Sequence, residues 1–394
     1  MHILHIFVFI TSILLLVNAL PPKSLKPYTI SLTKKPISKS HILHYISRLS
    51  NTTDIKRAAT VPLDDEFHHD VGYFGEITLG EQKFNVMIDT GFGDVLIPSI
   101  NCTSTGCENK AKYNPANDKS FKTKDKPFGY DYFGGYVYGI RSTASLNIGG
   151  YTPGYNLGQN FGLVNVFPDN LEFDEFDGIL GLASSNEFVK DETNVYQNIY
   201  YDYGSSNSSN EIFSLKIGRE ADKTESELII GGIDKSKYIG ELVSTPIFDD
   251  IYFSIRLDGF SVNGKSLNFQ GRIGKVVSGI SPIIVPFEDA RKIYQQIPNT
   301  NEHDGNFIIP CESNFEVKIK IGGVDWDIDP RDLMDVEQLR NQPYQQVCSG
   351  MIIGGRTASD NDWILGSTFL KNVYSVYAYY DHEIRFAKLN NSKF

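Results

Sequence analysis

The sequence predicts an all-β chain folded as two β-rich lobes with few short helices. Three observations lead there. Gly, Tyr and Phe are abundant, at 34, 22 and 25 residues, and no long amphipathic heptad pattern runs through the chain, a balance that favours strands and turns. Short stretches alternate apolar and polar residues and stop at glycine: Tyr73-Phe74-Gly75-Glu76-Ile77-Thr78-Leu79-Gly80, then Lys83-Phe84-Asn85-Val86-Met87-Ile88, read as a hairpin. A chain of 394 residues exceeds one ordinary core, at about 150 residues per unit. Strand patterns resume after the polar, Gly/Ser-rich stretch 202–210, which reads as a loop between the halves. The clearest helix is expected over 286–297, with Pro286 at its start and a stripe of Ala290, Ile293, Tyr294 and Ile297.

The expected order along the chain begins with a targeting segment. Residues 3–17 are nearly all apolar, and small Ala19 follows, so residues 1–19 read as a signal peptide. That run is short for a membrane span, and no later run approaches about 20 apolar residues. Residues 20–57 are rich in Lys, Ser and Pro and end at the dibasic pair Lys56-Arg57. They read as a basic propeptide suited to cover an acidic cleft. The two lobes are then expected over 58–200 and 201–394.

Composition narrows the function. A net charge of -11 argues against nucleic acid. The four cysteines, Cys102, Cys107, Cys311 and Cys348, allow three pairings. Proximity favours Cys102–Cys107 and Cys311–Cys348, and a secretory route permits both bonds. No CxxC or HxxxH cluster supports a zinc site, and neither a metal nor an organic cofactor is expected. Sequons at Asn51, Asn101, Asn207 and Asn390 mark candidate glycosylation sites of a secreted or extracellular protein.

The chemistry centres on Val86-Met87-Ile88-Asp89-Thr90-Gly91, an apolar strand running into an acid, a hydroxyl and a glycine. A carboxylate at the end of a buried strand needs hydrogen bonds, and Gly91 allows the sharp turn that brings amides to it. Around this triplet, Tyr73-Phe74-Gly75, Leu79-Gly80 and Leu96-Ile97-Pro98-Ser99 resemble the opening of the pepsin-like aspartic proteases. Phe176-Asp177-Gly178-Ile179-Leu180-Gly181-Leu182-Ala183, Glu227-Leu228-Ile229-Ile230-Gly231-Gly232-Ile233-Asp234 and Trp363-Ile364-Leu365-Gly366 match later landmarks of that family in its order, covering about residues 70–390. The cysteine spacings are similar to the family's disulfide loops.

The resemblance implies a central cleft between the lobes, each lobe supplying one Asp-Thr/Ser-Gly loop, with two acids sharing a proton and activating a water. It implies a flap at Tyr132-Phe133-Gly134-Gly135, and loop hydroxyls that hold the two halves together. The second loop departs from the pattern. Its context is Val276-Val277-Ser278-Gly279-Ile280-Ser281, then Pro282 to Pro286. Val277 stands where the second acid belongs, while Ser278 and Gly279 fill the hydroxyl and glycine positions. Phe92 and Leu96 also depart, replacing a supporting serine and a cleft tryptophan. Asp94 is the nearest other acid but lies on the same loop as Asp89. The expectation is a pepsin-type chain with one catalytic aspartate, Asp89, that binds a peptide, ligand or protein in its cleft without efficient hydrolysis. The competing expectation is an active endopeptidase with Asp89 as its main catalytic residue. By family analogy the chain is expected to be a monomer.

Overall fold

In the computed structural model the described residues are 28–35 and 72–390, except 133–134, 155–157, 173, 185–191, 204–210, 220, 223, 250, 304–305, 338–346, 356, 358 and 379. The segment 1–19, the dibasic pair, Asn51, Asn207 and Gly134 lie outside them.

The fold is all-β and two-lobed, with short helices. The first strands are β1 (Tyr28–Lys35), β2 (Gly72–Leu79), β3 (Gln82–Asp89), β4 (Val95–Pro98), β5 (Lys122–Tyr132) and β6 (Gly135–Ala144). β7 (Leu146–Asn147), β8 (Gln159–Val166) and β9 (Gly178–Gly181) complete the first half. Helix α1 (Val195–Tyr203) follows. Next come β10 (Ile212–Lys216), β11 (Ser226–Ile230), β12 (Tyr238–Pro246), β13 (Ser254–Arg256), β14 (Gly259–Val262) and β15 (Lys265–Leu267). β16 (Ile273–Val276) and β17 (Ile283–Pro286) lead into α2 (Phe287–Tyr294). β18 (Asn301–His303), β19 (Asn306–Pro310), β20 (Val317–Ile321), β21 (Val324–Ile328), β22 (Met334–Glu337), β23 (Val347–Gly350) and β24 (Ile352–Gly355) follow. The chain closes with β25 (Asp362–Leu365), α3 (Ser367–Leu370), β26 (Val373–Ala378) and β27 (Glu383–Leu389).

The hairpin expected from the alternation is β2–β3, paired from Phe74↔Met87 to Leu79↔Gln82. Helix α2 starts after Pro286 and buries Ala290, Ile293 and Tyr294, as its stripe requires. The boundary of the polar stretch 202–210 needs correction: Asp202 and Tyr203 belong to the last turn of α1. That helix is held at its start by a reciprocal cap. The Gln197 amide donates to Asn194 Oδ1 at 2.8 Å, and the Asn194 amide donates to Gln197 Oε1 at 3.1 Å.

The two lobes repeat one arrangement. In the first, β3 lies parallel to β9, β9 antiparallel to β4, and β4 parallel to β8. In the second, β16 lies parallel to β25, β25 antiparallel to β17, and β17 parallel to β24. Strands buried on both faces must be apolar throughout, which is why Ile179-Leu180 and Ile364-Leu365 are continuous apolar runs. A large sheet joins the halves, and β1 is its link. Residues 28–32 pair with β11 of the second half, and residues 33–35 pair with β2 of the first. Cys102–Cys107 and Cys311–Cys348 are both disulfides. No helix among the described residues is long and apolar enough to cross a membrane.

Candidate active site

The paired strands deliver two loops to one place. Ile88 lies opposite Leu180 and Val276 opposite Leu365, so the next residues, Asp89 and Val277, occupy corresponding positions in the two halves. Each is followed by a hydroxyl residue and a glycine. The hydroxyls cross the interface between the loops and bond to the opposite backbone. Ser278 Oγ accepts from the Thr90 amide at 3.0 Å and donates to the Ile88 carbonyl at 2.8 Å. Thr90 Oγ1 accepts from the Ser278 amide at 2.9 Å and donates to the Val276 carbonyl at 3.0 Å. The four bonds form a two-fold pattern that fixes the loops against each other. The Tyr377 phenol also reaches Thr90, a neighbour that no local motif signals.

Asp89 is fully buried. Its Oδ1 accepts from the Gly91 amide at 2.8 Å, the bond made possible by the glycine turn. Its Oδ2 accepts from the Tyr132 phenol at 3.1 Å. Gly279 lies against the same carboxylate: a Cβ there would fall 2.4 to 2.8 Å from its Cγ and oxygens. Glycine at that position is therefore a matter of space.

The segment expected as a flap lies on the β5–β6 hairpin, with Tyr132 at the end of β5 paired to Gly135 at the start of β6. Instead of standing above an open cleft, Tyr132 is fully buried and turned onto Asp89. Phe92 packs against it with the rings tilted, at 4.5 Å between centroids. The departure at Phe92 is thus coupled to Tyr132: an aromatic ring replaces a hydroxyl, and the phenol beside it supplies a donor to Asp89. Leu96 is also fully buried, inside the sheet between β8 and β9, with Phe128 nearby. Val277 belongs to the same apolar cluster as Phe92, Leu96, Tyr132, Ile280 and Ile284.

Asp94 is committed elsewhere. Its carboxylate faces Arg141 Nη1 at 2.5 Å and Nη2 at 3.1 Å, and it accepts from the Tyr130 phenol at 3.2 Å. Arg141 also holds Glu192 at 2.7 Å. Burial disfavours the Arg141 charge, but the two acids outweigh it and raise its pKa above the usual value. A carboxylate locked in a buried ion pair is not available as a second acid. The signal for this network was parity: Arg141 shares the inward face of β6 with Val137 and Gly139, and an inward charge demands a partner.

A two-lobed β fold with two such loops defines the class of the aspartic peptidases. A family model described as eukaryotic aspartyl protease matches residues 72–389, and the chain belongs to that family, of pepsin-like type. It is 31% identical to a probable aspartic-type endopeptidase CTSD of Trichophyton verrucosum (strain HKI 0517) over 313 residues, 78% of this chain and 59% of that relative. It is 28% identical to gastricsin of Cavia porcellus over 349 residues, 86% of this chain and 85% of the relative. It is 29% identical to a pregnancy-associated glycoprotein of Equus caballus over 317 residues, 78% of this chain and 79% of the relative.

Proposed function

We propose that this chain is a secreted pepsin-fold protein whose cleft binds a peptide or protein segment without efficient hydrolysis. The observation that carries this reading is Val277, an apolar residue at the position corresponding to Asp89. Peptide hydrolysis by a carboxylate pair divides the work between a base and an acid. Valine supplies neither, and Asp94 is held by Arg141. The rest of the scaffold, meaning Thr90, Gly91, Ser278 and Gly279, supports the loop geometry that a cleft needs. The second reading, an active endopeptidase working through Asp89 alone, is favoured by the intact bonds to that carboxylate. The test is hydrolysis of denatured protein from about pH 3 to about pH 7, the range in which a carboxylate acts. The purified chain, freed of its basic segment, is compared with Asp89→Ala. Equal silence is expected. Cleavage lost in Asp89→Ala overturns the proposal in favour of the second reading.

The basic segment 20–57 is read as the pro-part of a zymogen, supported by β1 lying between strands of both halves. Backbone ladders on both sides hold a strand after its covalent link is cut. Cleavage at Lys56-Arg57 is therefore expected to leave the fragment bearing β1 associated until denaturant is added. Gel filtration with mass spectrometry checks this, and a fragment that elutes separately from an otherwise folded chain counts against it.

Secretion is supported by the apolar run at 3–17 together with the two disulfides. The two described sequons differ. Asn101 is exposed, whereas the Asn390 side-chain Nδ2 donates to the Ser236 carbonyl at 3.0 Å. A glycan is expected on Asn101 and not on Asn390. Asn101→Gln should lose one glycan's mass in the secreted protein and Asn390→Gln none.

A further inference from the structure

The face that the second half turns toward the site is not apolar throughout. The Val277 amide donates to the Leu365 carbonyl and so continues β16 by one residue. Lys275 and Val277 are two apart and share a face, as do Asp362 and Ile364 on β25. The parallel pairing of these strands sets Lys275 beside Ile364, and β13 sets Ser254 opposite Lys275. Val277 and Ile364 belong to the apolar cluster that holds Phe92 and Tyr132, and partly buried Tyr252 packs against it. Lys275, Asp362 and Tyr252 therefore stand at the margin of the cluster around Asp89, on the side of the second half.

The three residues form one unit. The Lys275 ammonium pairs with Asp362 Oδ2 at 3.2 Å and stands 4.8 Å from the centre of the Tyr252 ring. A carboxylate on one side and a ring on another commit that ammonium. Tyr252 is fixed in turn by Asp249. Its Oδ1 accepts from the Ile251 and Tyr252 amides at 2.8 and 3.3 Å, and its Oδ2 from the Ser254 hydroxyl at 3.2 Å. The Asp362 carboxylate is used less fully. Its side chain keeps 12% exposure, and its Oδ1 makes no hydrogen bond among the described residues. A carboxylate oxygen in that state takes a charge-assisted bond from a cation, and solvent screens such a bond little. The net charge of -11 draws a cation rather than an anion toward the chain.

We propose that Asp362, oriented by Lys275 beside Tyr252, selects a basic side chain, arginine or lysine, in the peptide segment that the cleft binds. The proposal rests on the cleft-binding reading and names the ligand class for it. Lys275 holds Oδ2 and leaves Oδ1 as the oxygen presented to the ligand. An aliphatic side chain at that place would strip water from Oδ1 and return no bond, which is costly. An acidic one would meet the carboxylate as a like charge.

The test uses hexapeptides built around a non-cleavable statine residue, with arginine, glutamate or norleucine placed at one position at a time. Each is titrated calorimetrically into the whole chain and into the chain cut at Lys56-Arg57. At one position the arginine peptide is expected to bind about tenfold more tightly than the glutamate peptide, or better. Asp362→Asn should erase that preference while the norleucine peptide still binds, which shows that the variant is folded. A second variant guards against misfolding. Lys275→Met with Asp362→Leu replaces the pair by apolar side chains, a change that folds tolerate, and it should favour norleucine over arginine at the same position. Equal binding of the three peptides at every position overturns the assignment and leaves the cleft-binding reading standing. So does a glutamate preference, or an arginine preference that survives in either folded variant. If no peptide binds either form of the chain at millimolar concentration, both readings fall.

Discussion

Val277→Asp is expected to raise hydrolysis of denatured protein at acid pH by about 10²- to 10⁴-fold, the usual contribution of a positioned acid or base. The argument is geometric. Val277 follows Val276 as Asp89 follows Ile88, and those two preceding residues lie opposite equivalent leucines, so a carboxylate placed there enters the site from the other half. Two neighbouring carboxylates do not both ionise freely, and one keeps a proton. The variant should therefore gain a pH optimum on the acid side. Its cost is a second buried carboxylate in an apolar cluster, so a lower melting temperature is expected with the gain. Tyr132 competes for the bonding of Asp89, because its phenol already donates to that carboxylate. Val277→Asp with Tyr132→Phe should be at least as active as Val277→Asp alone. Adding Asp89→Ala should abolish the gain. If the single and double variants fold and both stay inert, then the corresponding position is not the missing catalytic one, and Phe92 has remodelled the site beyond repair by one residue.

The parts of this fold that sequence reading reaches are those whose cause is local. The β2–β3 hairpin follows from alternation and a glycine stop, and α2 from a proline start and a helical stripe. The Asp89 loop is legible because an acid at the end of an apolar strand is costly and therefore conspicuous. Val277 is legible only through the hydroxyl and glycine that follow it. Helix α1 is only partly legible. Asn194-Val195-Tyr196-Gln197 is a reciprocal cap in outline, but the tyrosines after it carry strand propensity that obscures the helix. Two features are not local at all. The pairing of β1 with β11 and β2 joins segments far apart in the chain, and composition in 20–57 carries no hint of which strands it will meet. The bond from Tyr132 to Asp89 depends on a side-chain orientation that Phe92 settles by packing.

Ser278→Ala is expected to cost about 2–4 kcal/mol of unfolding free energy, with little change of surface charge or volume. The loss of one hydroxyl removes two bonds that cross between the halves. It also strands the Thr90 amide and the Ile88 carbonyl in a site from which water is excluded, since both hydrogen bonds are buried. An orphaned buried group costs roughly 1–3 kcal/mol. Thr90→Val should behave alike, because it strands the Ser278 amide and the Val276 carbonyl. The double variant should cost clearly less than the sum, as the two hydroxyls serve one shared junction and its first loss already loosens the second. Urea unfolding of the single and double variants measures all three values. A cost below about 0.5 kcal/mol for Ser278→Ala, the range of an ordinary surface change, would mean that the junction is not what joins the halves. The weight would then fall on β1, and the same experiment on the chain stripped of its basic segment would separate the two. There the hydroxyl junction should matter more, because the ladders that β1 makes to both halves are gone.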